Sequence, residues 1–323
     1  MAATDLITAT APLRAEYAAL TERCGLVDRS ERGKLALSGP DAKTFLAGQV
    51  TNDTEALQPG DGCYAAFLTH KGKMLGDLRV LDVGEELLLD TERVALQALF
   101  DMIRRFKVGY ELELHKRTVE RGLLSLIGPD ATPVAAAEAL ADVEHANAPI
   151  EIGGIAALAA RTDAGVDLIC DAADTRALTH ALCERSAVAV SVQAAEIVRI
   201  EHGRPRYGVD MDESTIPQEA GLNERAVSFT KGCYVGQETV ARLYYKGKPN
   251  RLLRGLRLSE PSPPGAELRL GERALGRLSS AVVSPAFGPI GLGLVRREAQ
   301  LGASVSVGDG DGSATVVNLP FAN

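Results

Sequence analysis

Residues 197–238 read IVRIEHGRPRYGVDMDESTIPQEAGLNERAVSFTKGCYVGQE, a run dense in Gly, Pro and charge around a lone cysteine. Such a run is poor core material, and binding residues concentrate on loops held by a scaffold, so this segment is the first candidate for function. On its N-terminal side, residues 14–24 have helical spacing, 34–38 alternate as a strand, and Asp41 caps a short helix through Phe45 and Leu46. Residues 64–68 and 78–83 read as strands joined across His70-Lys71-Gly72-Lys73, and 86–89 as a third. Residues 91–105 carry a helical apolar face, and 107–114 alternate as a strand. A second round follows, with strands at 123–127, 156–160 and 166–169 and a helix at 174–185; the alanine-rich stretch 131–141 reads as a surface helix. On the C-terminal side the texture changes to short strands broken by Gly and Pro, with Lys246-Gly247-Lys248-Pro249 as a hinge. The irregular alternation predicts an α+β protein: a mixed body over 1–245 and a small all-β module over 246–323.

A chain of 323 residues is too long for one ordinary core and supports two or three domains. The 35 Lys and Arg against 43 Asp and Glu give a net charge of −8, which argues against direct nucleic-acid binding or attraction to an anionic membrane. Aromatic residues make up 4%, with no Trp, so a base-stacking platform lacks its material. No stretch has the length of apolar residues that a membrane span needs, and Asp5, Arg14 and Glu16 interrupt any signal-peptide core. Five scattered cysteines without a CxxC pair fit a reducing cytoplasm and neither a disulfide framework nor a zinc site, so no metal is expected.

Lys231-Gly232-Cys233-Tyr234-Val235-Gly236-Gln237-Glu238 resembles the KGCYxGQE signature of the YgfZ family, and Arg199-Ile200-Glu201-His202-Gly203 resembles the RxExG motif shared with aminomethyltransferases. Further similar stretches are Leu37 to Asp41, Gln49 to Asp53, Gly72 to Leu78, Ser284-Pro285 and Ile290 to Leu292, so the resemblance spans nearly the whole chain. It implies a YgfZ-type folate-binding protein of the glycine-cleavage T-protein (aminomethyltransferase) superfamily. The implied fold is a three-domain cloverleaf whose first 245 residues hold two interleaved subdomains and whose last domain is a β-barrel. The implied ligand is tetrahydrofolate or a derivative. The implied partners are iron-sulfur client proteins or assembly factors, including tRNA-modifying enzymes.

Cys233 follows Lys231, a cationic neighbour that favours the reactive thiolate, and a single thiolate could serve as a redox group or a transient cluster ligand. Lys231 and Gln237 would shape this loop by hydrogen bonds, with Gly232 and Gly236 turning the backbone at low steric cost; Glu238 reads as a helix cap. A carboxylate can accept the paired N–H donors of a pterin ring. Asp167 occupies the position that resembles the pterin-binding Glu of aminomethyltransferases, with an exposed strand-edge carboxylate as its competing reading. Arg199 resembles the folate-site Arg of the RxExG motif, or else pairs internally with Glu201 or another acid. Asp77 is the one carboxylate left where aminomethyltransferases carry two, Gly76 replacing the first, and it is read as a turn residue that hydrogen-bonds folate or is merely solvated.

Three functions compete at this point. The first is a tetrahydrofolate-binding accessory protein for assembly, maintenance or repair of iron-sulfur enzymes, favoured by the cysteine loop. The alternative is an aminomethyltransferase passing a one-carbon unit from an aminomethyl-lipoyl carrier to tetrahydrofolate, against which Gly76 is counted. The third is a scaffold without chemistry, so the sequence leaves open whether the chain is an enzyme.

Overall fold

The computed structural model describes residues 6–8 and 10–322, which form three mostly antiparallel sheets with helices packed on them. The five-stranded sheet runs in the order Gly62–Leu68, Met74–Asp82, Glu86–Thr91, Gly33–Ser38, Glu113–Lys116. Its outer face buries Leu35, Leu37, Leu78, Val80, Leu87 and Leu89 against Phe45 and Leu46 of helix Ala42–Gln49 and Leu99 and Ile103 of helix Leu96–Phe106. The six-stranded sheet runs Val188–Ala189, Gly25–Asp28, Arg121–Ile127, Gly165–Asp171, Ile155–Thr162, Asn147–Ile152, parallel only at its first pair. Leu124, Leu126 and Leu168 on one of its faces pack with Leu178 and Leu182 of helix Thr175–Glu184.

Because side chains alternate across a strand, each of these sheets has a second face. Ala36, Leu81 and Leu88 from the first meet Leu123, Ala160 and Ile169 from the second in a small apolar cluster. The two sheets thus share an interface, and the same faces turn polar two residues further along each strand, at Lys34, Arg79 and Asp90 on one side and Ser125 and Asp167 on the other.

The third sheet has eight strands, with Ile7–Thr8 and Arg273–Arg277 at its edges and the remaining strands drawn from 251–317. It curls so that Gly276 of the edge strand comes against Leu294 of strand Gly288–Arg296, but the strand pairing among the described residues does not show the closed barrel that is expected. Strand Ile7–Thr8 pairs parallel with Ser280–Ser284, so the chain's first strand sits in the C-terminal sheet. Glu201, on helix Val192–Glu201, accepts from Tyr17 at 3.1 Å and from Ser284, tying helix Ala11–Glu22 to that sheet. No helix of the described residues is long and apolar enough to cross a membrane.

Several local expectations change. The alanine-rich stretch is helical only over Ala131–Val134, and Ala131, Val134, Ala135, Ala137 and Leu140 are buried in the core beside the six-stranded sheet; Pro133 and the positive φ of Ala136 stop the helix. The strand expected over 107–114 forms at Glu113–Lys116, because Gly109 takes a positive φ and Tyr110 turns onto Phe45. Asp41 stands at the helix N-cap, but its carboxylate accepts from the Glu111 backbone and not from the helix. The turn after Leu68 closes at Lys73, where Thr69 N–H donates to the Lys73 carbonyl. Asp77 is therefore not a turn residue but lies in mid-strand and is buried.

Gly165 opens the strand that carries Asp167, with a φ of +156° and an ideal Cβ only 2.1 Å from the Leu126 carbonyl oxygen. Gly165→Ala is expected to destabilise the fold by about 2 kcal/mol or more, read by urea unfolding. Gly232→Ala, in open space, should leave the midpoint unchanged. Equal midpoints for the two variants would contradict the tight approach at Gly165.

Candidate functional site

At the polar end of the sheet interface lies a cavity of about 250 Å³ whose lining includes Asp77, Asp167 and Arg199, three residues far apart in sequence. Its five-stranded wall is one cross-strand row: Tyr64 lies opposite Arg79, Arg79 opposite Asp90, and Asp90 opposite Lys34. Facing it, Asp167 pairs in register with Ser125 and Ala160. The row and the opposing carboxylate join into one ion chain. Arg32 Nε meets Asp90 Oδ1 at 2.8 Å, Arg79 Nη2 lies 3.0 Å from Asp90 Oδ2, and Arg79 Nη1 meets Asp167 Oδ2 at 2.8 Å. Burial works against the Asp90 carboxylate, but Arg32 and Arg79 outweigh it and hold its pKa below the usual range.

Asp77 faces the same cavity two residues before Arg79. The Tyr64 hydroxyl donates to Asp77 Oδ2 at 2.5 Å, and no other side chain among the described residues hydrogen-bonds the carboxylate. Burial raises the Asp77 carboxyl to about 6, against the lowering effects of the Tyr64 hydrogen bond and the Arg32 charge. Burial and the adjacent Asp77 also push the Tyr64 phenol well above its ordinary range. The pair is a carboxyl that exchanges its proton near neutrality, held by a phenol that keeps its own. Gly76 points the other way. A Cβ there would meet the Phe67 ring at 2.5 Å and Ala95 at 2.7 Å, so a carboxylate at 76 would enter the apolar side of the sheet and not the cavity. The substitution of Gly76 therefore does not subtract from the cavity's chemistry, contrary to the weight it carries in the sequence.

His145, from the loop before strand Asn147–Ile152, borders the cavity with a φ of +73° and a buried Nδ1 that has no partner. Burial first, then the charges of Arg79 and Arg225, lower its pKa to about 3, so the ring is neutral. Arg225 stacks over the Tyr64 ring at 5.3 Å and pairs with Glu144 at the rim. On the opposite rim Arg204 pairs with Asp163.

Arg199 borders the cavity, but its five N–H donors are all engaged inside the protein. Nε and Nη2 hold the Glu196 carboxylate at 2.9 and 2.6 Å, Nη2 also reaches Ser280 Oγ at 2.8 Å, and Nη1 reaches Asp210 at 2.8 Å and the Arg204 carbonyl. Its partners are Glu196 and Asp210, not Glu201. Arg199 thus joins helix Val192–Glu201, the following loop and the C-terminal sheet around the cavity.

Cys233, Lys231 and Gln237 do not line the cavity. Lys231 Nζ donates to the carbonyls of Ala47 and Val50, at the C-terminal end of helix Ala42–Gln49, and burial lowers its pKa to about 8. Its charge is spent on that helix end and not on the exposed Cys233. Gly236 takes a positive φ, and a Cβ there would stand 2.6 Å from the Thr69 carbonyl; Gly232 has neither constraint. Glu238 lies in the first turn of helix Gln237–Lys246 and makes no cap hydrogen bond.

Sequence reading missed Tyr64, Arg79, Asp90, Arg32 and His145. The signal for Arg79 and Asp90 was present as single charges inside apolar strand runs, LRVLDV and LLLDT.

The family model described as GCVT N-terminal domain matches residues 7–231. An aminomethyltransferase of Rubrobacter xylanophilus is 30% identical over 96% of this chain and 86% of its own length. A putative chloroplastic transferase of Arabidopsis thaliana is 29% identical over 92% of this chain and 71% of its own length. The crystal structure of the glycine cleavage system aminomethyltransferase T from Bartonella henselae superposes with a TM-score of 0.84 at 26% identity, covering 96% of this chain and 89% of that one. These relatives, together with an aminomethyltransferase of Thermotoga petrophila at 29% identity, overturn the reading of an iron-sulfur accessory protein with cluster-enzyme clients and support the transferase alternative. Members of the aminomethyltransferase family use tetrahydrofolate as the one-carbon acceptor. By its family match and by relatives aligned over nearly its full length, the chain belongs to the glycine-cleavage T-protein superfamily.

Proposed function

We propose that this chain is a tetrahydrofolate-dependent aminomethyltransferase, moving the methylene carbon of an aminomethyl-lipoyl carrier to the folate with release of ammonia and the free lipoyl thiol. The single observation that carries the reading is the convergence of Asp77, held by Tyr64, and Asp167, held by Arg79, on one cavity at the end of a buried sheet interface. The donor set fits a reduced pterin: among the described residues Asp167 is engaged through Oδ2 by Arg79, so its carboxylate has acceptor capacity left for paired N–H groups, and the neutral His145 adds no charge to repel the ring. A second cleft of about 1040 Å³ shares Arg29, Glu92 and Arg206 with the cavity and gives the remainder of the ligand and the carrier arm room to approach. When bound, tetrahydrofolate supplies the amine that accepts the one-carbon unit.

The protein's own groups then have distinct tasks. Asp77 takes up and returns a proton at Oδ1, while Tyr64 fixes Oδ2 so that Oδ1 keeps one orientation. Asp167 orients the ring. Arg199 acts as a positioning residue that holds the loop and the C-terminal sheet in place, and Cys233 has no part in the transfer. The sequence class of the 231–238 loop remains similar to that of YgfZ proteins, and we assign residues 1–245 as the folate-binding body and 246–323 as the C-terminal β module.

Transfer is tested by single-turnover formation of methylene-tetrahydrofolate from an aminomethylated lipoyl carrier. Asp77→Asn is expected to slow it by about 100-fold or more while tetrahydrofolate still binds; a folded, folate-bound wild type that gives no turnover would overturn the reading. In calorimetric titration Asp167→Ala should weaken tetrahydrofolate binding by about 10- to 100-fold, whereas unchanged affinity would remove the ring assignment.

Asp77 also predicts a pH signature in stability. Its folded pKa lies above the unfolded value, so the folded state binds the proton more tightly. The penalty of the buried carboxylate is absent below pH 4, grows as pH rises through the window from 4 to 6, and is full above it. The stability of Asp77→Asn relative to wild type should therefore increase by on the order of 2–3 kcal/mol between pH 4 and pH 7. A difference that stays flat across that range would show that Asp77 ionises as an ordinary surface carboxyl.

A further inference from the structure

Arg79 is buried in mid-strand, and its side chain borders the cavity beside Asp167. Of its five donors, one N–H of Nη1 faces Asp167 Oδ2 at 2.8 Å and the other is left over, while Nη2, 3.0 Å from Asp90 Oδ2 without hydrogen-bond geometry, and Nε are both out of reach of solvent and have no hydrogen-bond partner among the described residues. A buried guanidinium with donors left over is costly unless something accepts from it. The cavity wall therefore presents an acceptor, the Asp167 carboxylate, next to the second N–H of Arg79 Nη1, which that carboxylate oxygen leaves unused.

We infer that Arg79 is a specificity-determining residue: with Asp167 it reads a ring edge on which a carbonyl oxygen adjoins an N–H, and so admits 4-oxo pterins and refuses their 4-amino analogues. The inference rests on the folate reading above and deepens it. In a 4-oxo pterin the ring N–H and the 2-amino group donate to Asp167, and the neighbouring C4 oxygen accepts from Arg79. A 4-amino group would instead point N–H at the guanidinium, donor against donor, and the ring N3 of such an analogue carries no hydrogen for Asp167, so both halves of the wall are mismatched. Burial and the flanking carboxylates of Asp90 and Asp167, 3.0 and 2.8 Å away, hold the guanidinium at this place in the wall. A site built around a hydrogen bond rejects the mismatched analogue more strongly than an apolar pocket rejects an extra methylene.

The experiment is calorimetric titration of the full-length, reduced protein with tetrahydrofolate and, separately, with its 4-amino analogue. The wild type is expected to bind the 4-oxo compound about 10- to 100-fold more tightly, the worth of one charged hydrogen bond. Arg79→Gln, whose amide oxygen can accept from a 4-amino group, should narrow that gap, leaving the part that Asp167 contributes through the ring N–H; Arg79→Gln combined with Asp90→Asn relieves the buried charge if the single variant does not fold. Equal wild-type affinity for the two rings overturns the inference and leaves the folate pocket standing. A folded Arg79→Gln protein that discriminates as well as wild type also overturns it, since another group then reads the edge. Failure of the wild type to bind either compound overturns the folate reading itself, and this inference with it.

Discussion

The chain of buried charges from Arg32 through Asp90 and Arg79 to Asp167 is the constraint on which the rest of the structure depends. It crosses from one sheet to the other at the point where their shared apolar interface ends. Charges taken out of water must be paired, and removing one member of a buried pair costs about 3–5 kcal/mol because its partner is stranded. The four side chains therefore fix one another, and with them the separation and register of two sheets that share the small cluster around Ala36, Leu81, Leu88, Leu123, Ala160 and Ile169. A cavity with polar walls, set between two sheets held in register, follows from that arrangement. It is the setting in which a carboxyl such as Asp77 can be shifted toward neutrality and held in one orientation.

Strand parity explains how the site is divided. Asp77 and Arg79 lie on the face that looks across to Asp167, whereas Gly76, Leu78 and Val80 look toward helices Ala42–Gln49 and Leu96–Phe106. A departure from the aminomethyltransferase pattern at 76 thus falls on the packing side, where Phe67 and Ala95 leave no room for a carboxylate, and the reacting side keeps its acid. The same logic separates the cysteine loop from the chemistry. Lys231 is bound to the carbonyl end of a helix on the packing side, so the densest motif in the sequence is an anchoring device next to the hairpin turn at Gly72.

Much of this fold was legible in the sequence because period and punctuation are local. The strands around 64–68, 78–83, 123–127 and 166–169 and the helix near 174–185 all appear close to their expected places. Asp77, Asp167 and Arg199 were singled out from the residues and the family resemblance, and they do border one cavity. Three things were not legible, each because it depends on tertiary approach. The ion chain through Arg79 and Asp90 requires two sheets to meet. The sealing of the Arg199 donors by Glu196, Asp210 and Ser280 requires the C-terminal sheet to close on helix Val192–Glu201. The burial of the alanine-rich stretch 131–141 requires a sheet beneath it, since its own composition suits a surface equally well. Cys233 stands apart from the cavity for a different reason: a sequence signature marks a segment without saying which of its residues performs chemistry.

The most direct test of the central claim is a crystal structure of the protein with tetrahydrofolate bound. The account predicts the pterin ring between the two sheets, its N–H edge on Asp167, its C4 oxygen toward Arg79, and its one-carbon-accepting amine against Asp77 Oδ1. A ligand held only in the outer cleft lined by Tyr207, Arg251 and Leu294, with the Asp167–Arg79 wall untouched, would contradict it.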